Sequence, residues 1–119
     1  MREKVRDKGR LEHILQACDD LLESKDKYEF ESVKDDSVIF FGFVKLSEII
    51  GEASYMITKE FRELHSEIPW QQMIGLRHVL VHGYYTIKPK QLWNIIEKDV
   101  PKLRPQIAYL LDIVDFPEE

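Results

Sequence analysis

The sequence predicts an all-α protein, an antiparallel helical bundle of about four to five helices. Three observations predict it. Apolar residues recur at helical spacing over most of the chain. No segment alternates apolar and polar residues as a strand would. Pro69, Pro89 and Pro101 fall at breaks between the periodic segments.

Residues 3–24 read as the first helix, with Leu11, Ile14, Leu15, Cys18, Leu21 and Leu22 on one side. The polar stretch SKDKYEFESVKDD then connects, with room for a short helical turn. Asp35 or Asp36 can N-cap the next element, because its carboxylate can accept hydrogen bonds from the first free backbone N–H groups. Residues 36–65 read as one long helix. Its expected stripe is Ile39, Phe43, Leu46, Ile50, Ala53, Ile57, Phe61 and Leu64, with Phe40, Phe41, Val44, Ile49 and Met56 outside it. A helix apolar on more than one face is either central or also faces a partner. Gly42 and Gly51 lie inside it, where glycine costs about 1 kcal/mol against alanine, so close approach of another helix is expected at both. SEIPW breaks the pattern. A third helix is expected from Trp70 to about His82, with Gly83 as the residue that ends it. Pro89 suits the first turn of a short helix ending near Asp99, and Pro101 restarts the chain into a last helix through Val114.

The 119 residues suit one domain over positions 1–119. Cys18 is the single cysteine, so no internal disulfide can form. No long apolar run predicts a membrane span, and MREKVRDKGR is not followed by the apolar stretch of a secretory leader. A bacterial or archaeal cytoplasm is the expected location. The net charge of −5 argues against a general nucleic-acid binder, which needs a positive field. Local basic faces remain. Residues 1–10 carry five basic side chains against two acidic, and so do residues 88–104.

The stretch RHVLVHGYY, residues 77–85, concentrates the chemistry. On a helical wheel Trp70, Met73, Ile74, Leu80, Val81 and Tyr84 share one face, with Arg77 in its middle. A guanidinium there is costly unless it is paired or serves an interface. It either bridges to an acid such as Glu48 or Glu52, or lines a desolvated anion site. His78 and His82 stand at i and i+4, but no third residue at diagnostic spacing completes a metal site, and no metal or other cofactor is expected. His82 is five positions from Arg77, about 140° round a regular helix. Either the helix unwinds at Gly83, or two chains share one site.

RHVLVHGYY resembles the Arg-x4-His-x-Tyr motif of the HepT-like toxins of the HEPN ribonuclease superfamily, matching at Arg77, His82 and Tyr84. The similarity extends to GRLEHIL and SEIIGEASYMI upstream, to EIPWQQM directly before the motif, and to LWNIIEKDVPKLRPQI after it. Leu46 and Ser47 stand where such proteins often carry a polar or basic residue, and FFGF is more apolar than usual. The resemblance implies a metal-independent endoribonuclease, the toxin of a toxin–antitoxin pair whose partner is an MNT-type nucleotidyltransferase antitoxin. It also implies a homodimer, with motif residues of both chains facing one cleft. It assigns catalysis to Arg77 and His82, makes His78 a candidate for positioning the phosphate, and makes Tyr84 the site at which the antitoxin attaches AMP. The chemistry is suitable: a neutral imidazole can take the 2′-OH proton, and a guanidinium can hold two phosphate oxygens. The alternative is a non-catalytic helical partner that presents a nucleotide or substrate to a nucleotidyltransferase.

Tyr84 is seven residues from Arg77, on the same face of a continuing helix, so an attached AMP phosphate could occupy that arginine. Incubation with the antitoxin and ATP should add about 329 Da per AMP and silence the nuclease through the arginine–phosphate pairing. Tyr84→Phe should resist both. An adduct on Tyr85, or silencing of Tyr84→Phe as complete as that of the unchanged protein, would contradict this control.

Overall fold

The computed structural model describes residues 6–83 and 86–116. Its elements are α1 (Asp7–Lys27), α2 (Phe30–Asp35), α3 (Ser37–Met56), α4 (Lys59–Leu64), α5 (Trp70–Gly83), α6 (Pro89–Lys98) and α7 (Val100–Ile113). No strand occurs among the described residues. The all-α expectation holds, with seven helices among the described residues rather than four or five. The two additions arise at caps. The polar connection contains α2. The expected 36–65 helix divides at Ile57 and Thr58, where the backbone turns extended and Thr58 caps α4 by accepting from Phe61 N–H. Asp7, at the start of α1, accepts from both the amide and the hydroxyl of Thr58, at 3.0 and 2.7 Å. That contact spans 51 residues of sequence. It also places the start of α1 beside the end of α3, so the two run antiparallel.

α1 and α3 form the centre. α5 packs on α3 and α7 on α1, while α2 and α6 close one side. Asp36 is the cap of α3, accepting from Val38 and Ile39 N–H at 2.9 and 3.2 Å. Pro89 opens α6, and the Gln91 side chain accepts from Lys88 N–H at 3.1 Å. Pro105 is the sixth residue of α7, past the first turn, so α7 forgoes the bond that an N–H there would give to the Pro101 carbonyl.

One apolar core joins the helices, with Leu11, Ile14, Leu21, Leu80, Leu92, Ile96, Ile107 and Leu110 sealed from solvent. Each such side chain contributes about 1.5–3 kcal/mol on burial. Trp93 knits α6 to α2 and α3, with Phe30 at 5.8 Å and Phe43 at 6.0 Å between ring centroids. Cys18 lies in this core, and burial pushes its thiol up to about 12, so it stays protonated and unreactive. Part of the 88–104 basic run is spent on the fold: Arg104 donates to Asp19 at 2.8 Å, and Lys90 sits over the Phe30 ring.

The expected stripe is buried at Phe43, Ile50, Ala53, Ile57 and Phe61, but the buried face of α3 is wider than that stripe. Phe40 and Val44 are core, and so are Ser47 and Ser54, while Ile39 and Leu46 are half-buried and Leu64 is exposed. The buried hydroxyls donate to carbonyls one turn back, Phe43 O and Ile50 O, which satisfies them without a partner helix. The glycine expectation divides. A Cβ on Gly51 would run into the Arg77 Cβ and lie 2.7 Å from the Met73 carbonyl oxygen, so α5 crosses α3 there at close range. A Cβ on Gly42 would meet nothing, and close approach does not explain that residue. Gly83 is not a left-handed terminator either. It is the last residue of α5 without a positive φ, and its carbonyl accepts from Thr86 N–H and Oγ1 at 2.8 and 2.7 Å.

Gly51→Ala should therefore destabilise the fold by about 1–3 kcal/mol, the range for overpacking against atoms that cannot move aside. Gly42→Ala should stabilise it by about 0.5–1 kcal/mol, through helix propensity alone. Urea unfolding of the two variants checks both signs. Equal effects would refute the assigned crossing point.

Candidate functional site

The crossing of α3 and α5 builds the site. Gly51 lets the α5 backbone close onto α3 at Met73 and Arg77. Residues one and four positions beyond Gly51 on α3 then meet the arginine. Glu52 Oε1 accepts from Arg77 Nε at 2.5 Å. The Tyr55 ring lies under the guanidinium, 4.8 Å from its carbon to the ring centroid. Of the two acids named as candidate partners, Glu52 makes the bond, and Glu48 pairs with Lys45 at 3.3 Å. The Arg77 side chain keeps 25% of its exposure and that of Glu52 49%, so this is a surface pair at the edge of the core. The Glu52 hydrogen bond raises the already high pKa of Arg77 and outweighs partial desolvation, so the guanidinium stays charged.

His78 and His82 occupy another side of α5. Both are exposed, with ring centroids 4.9 Å apart and planes inclined at 52°. Because α5 remains helical through Gly83, His82 stays about 140° from Arg77. On a regular helix the two side chains project from different sides, and α5 is helical through Gly83, so unwinding there does not change that angle. The face expected to surround Arg77 is partly open as well: Trp70, Met73 and Leu80 are buried, but Val81 is 37% exposed. Tyr84 and Tyr85 lie outside the described residues.

Two hollows share the Lys45–Glu48 ridge of α3, and Arg77 lines neither. One, of about 410 Å³, lies between α3 and α5 and is lined by Phe41, Val44, Leu80 and Val81. The other, of about 210 Å³, lies toward α1 and is lined by Arg10, His13, Ile49, Glu52 and Ala53. A further hollow at Lys59, Arg62 and Ser66 holds none of the motif residues. The site is therefore a charged strip with an apolar margin: a guanidinium that can attract a phosphate, with exposed Val81 one turn on along α5. Among the described residues no group of three or more His, Cys, Asp or Glu is arranged to hold a metal ion, and His78 with His82 remains a pair. No helix among them is long and apolar enough to cross a membrane.

The HepT-like ribonuclease family model matches residues 14–110. The chain belongs to the HepT-like ribonuclease family. Membership assigns it to the RNA-cleaving enzymes. A relative from Caldanaerobacter subterraneus, whose name proposes an RNase, is 42% identical over 101 residues, covering 85% of this chain and 90% of the relative. A protein of Methanocaldococcus jannaschii with the same kind of name is 35% identical over 100 residues, 84% of this chain and 92% of the relative. The "Probable ribonuclease HepT" of Thermococcus cleftensis is 36% identical over 103 residues, 87% of this chain and 94% of the relative. No solved structure matches the chain. Within the family's matched span lie Arg77, His78 and His82, and also Gly51, Glu52 and Tyr55. Tyr55 was not singled out from the sequence. Its signal was the Glu52–Tyr55 spacing of three, which puts both on one side of α3.

Proposed function

We propose that this chain is a metal-independent endoribonuclease in which Arg77 stabilises the charge that develops on phosphorus and His82 is the general base. The observation that supports it is the charged Arg77 guanidinium at the surface where α3 and α5 cross, within the span matched by a ribonuclease family. His82 takes the proton of the RNA 2′-OH. The O2′–phosphorus bond forms, and the phosphorane's extra negative charge falls against Arg77. The phosphorus–O5′ bond then breaks and O5′ gains a proton, for which His78 is a candidate donor or phosphate-positioning group. The products are a 2′,3′-cyclic phosphate and a 5′-OH. Imidazole and guanidinium supply base, acid and charge stabilisation between them, so the pathway calls for no cation.

The active unit in this reading is a homodimer. Arg77 of one copy faces His82 of the other, which answers the 140° separation within one helix. Phe41, Val81 and Tyr55, all exposed on α3 and α5 around Arg77, supply the apolar surface for such a contact. Light scattering should give about twice the chain mass of 14.2 kDa. The cellular role that fits the family resemblance is the toxin of a toxin–antitoxin pair. An MNT-type nucleotidyltransferase antitoxin would restrain it by adding AMP to Tyr84.

Arg77→Ala and His82→Ala should each fold normally; the first should lose cleavage by about 10² to 10³, the usual contribution of one charge-stabilising donor, and the second by about 10² to 10⁴, that of a general base. EDTA should leave the unchanged enzyme active, and its products should carry cyclic phosphate ends. Cleavage undiminished in His82→Ala, or stopped by EDTA, would contradict the mechanism.

A further inference from the structure

Arg77 is held in a way that the cleavage scheme alone does not require. Glu52 takes Nε, the nitrogen nearest the aliphatic stem. No described residue hydrogen-bonds the two terminal nitrogens, which form the fork that suits phosphate oxygens. Tyr55 covers one face of the guanidinium. The carboxylate and the ring therefore act on different parts of the group. The first fixes its rotation about the side-chain axis, and the second fixes its plane. Both come from α3, and Gly51 between α3 and α5 sets the distance at which they can reach. A counter-ion that blocked the phosphate site would be expected on the terminal fork, where it would compete with RNA. Glu52 is on the other nitrogen.

From this geometry we infer that Glu52 and Tyr55 are positioning residues that hold the Arg77 guanidinium ready for a phosphate. The inference rests on the reading that Arg77 stabilises the phosphorane. An arginine on a flexible stem must otherwise be ordered during each turnover, and a displacement of about 1 Å in a reacting group can cost 10²-fold in rate. Here the ordering is done before substrate arrives. The negative charge of Glu52 has an opposing effect, since it weakens the attraction of the strip for RNA. Removing it should thus impair the chemical step while leaving binding intact or improved. A residue that merely stabilised the fold would not divide the two quantities in that direction.

The test is steady-state cleavage of an RNA substrate by Glu52→Ala, Glu52→Gln, Tyr55→Leu and Tyr55→Phe. Glu52 and Tyr55 are both largely exposed, so the fold should survive, and thermal melting of each variant checks this. Glu52→Ala should lower kcat about 10- to 100-fold, as loss of an orienting partner does elsewhere, with KM unchanged or lower. Glu52→Gln should recover most of kcat, because its amide oxygen can still accept from Nε. Tyr55→Phe should behave as the unchanged enzyme and Tyr55→Leu should be slower, because the ring face is what contacts the arginine. In ¹⁵N spectra the Arg77 Nε–H should be distinct in the unchanged protein and in Glu52→Gln, and should average with solvent-exposed arginines in Glu52→Ala. Glu52→Ala cleaving as fast as or faster than the unchanged enzyme would overturn the inference, as would Glu52→Gln no better than Glu52→Ala. Arg77→Ala run alongside separates the two levels. Full activity of Arg77→Ala removes the reading of Arg77 itself, whereas a dead Arg77→Ala beside an unimpaired Glu52→Ala removes only the positioning role.

Discussion

The closeness of α3 and α5 at Gly51 is the constraint on which the rest of the site depends. Only a residue without a Cβ lets the Met73 carbonyl and the Arg77 stem come so near. The seam around it is built from small groups. Ser47, Gly51 and Ser54 recur at helical spacing on the buried side of α3, and the Ser54 hydroxyl lies 3.5 Å from the Met73 sulfur. Large aliphatic residues there would push α5 outward and carry Arg77 beyond the reach of Glu52. The serine hydroxyls cost little, because each is satisfied by the carbonyl one turn back. Packing at the α3–α5 seam thus determines the electrostatics beside it.

That arrangement also accounts for a charge on a largely apolar helix. Full burial of Arg77 would demand a partner strong enough to offset its desolvation. Full exposure would leave its long side chain free to roam. The observed position lies between these limits: the stem is packed against Gly51, and the head is bonded to Glu52 and stacked on Tyr55. The pair contributes little to stability because it is partly solvated and screened. Its value is geometric, since a phosphate then meets a guanidinium that is already oriented.

Much of this was legible in the sequence, and the exceptions have physical causes. Periodicity revealed the helices, and capping chemistry found Asp36 and Pro89. The oddity of an arginine among Trp70, Met73 and Leu80 led to Glu48 and Glu52 as partners, of which the structure takes Glu52. The width of the buried face of α3 was not legible, because a helix apolar on nearly every side gives no clear stripe edge and its buried serines look polar in sequence. The break at Thr58 is hidden because the Asp7 carboxylate that secures it lies 51 residues away. Glycine was ambiguous too. Gly51 and Gly42 look alike in sequence, and only the first has a neighbour. The placement of His82 was legible from spacing alone: five residues on a regular helix do not return to the same face, and α5 is regular to Gly83.

The separation of Arg77 from His82 leads to the claim that each active site draws on two copies of the chain. Mixing Arg77→Ala with His82→Ala protein, under conditions that let subunits exchange, tests it most directly. A shared site makes the two inactive variants complement each other, because in a mixed dimer one cleft holds an intact Arg77 and an intact His82. Equimolar mixing should restore about a quarter of the unchanged activity, since about half of the dimers are mixed and each has one of two sites complete. No recovery, in a sample where mixed dimers are shown to form, would contradict the account and return both residues to a single chain.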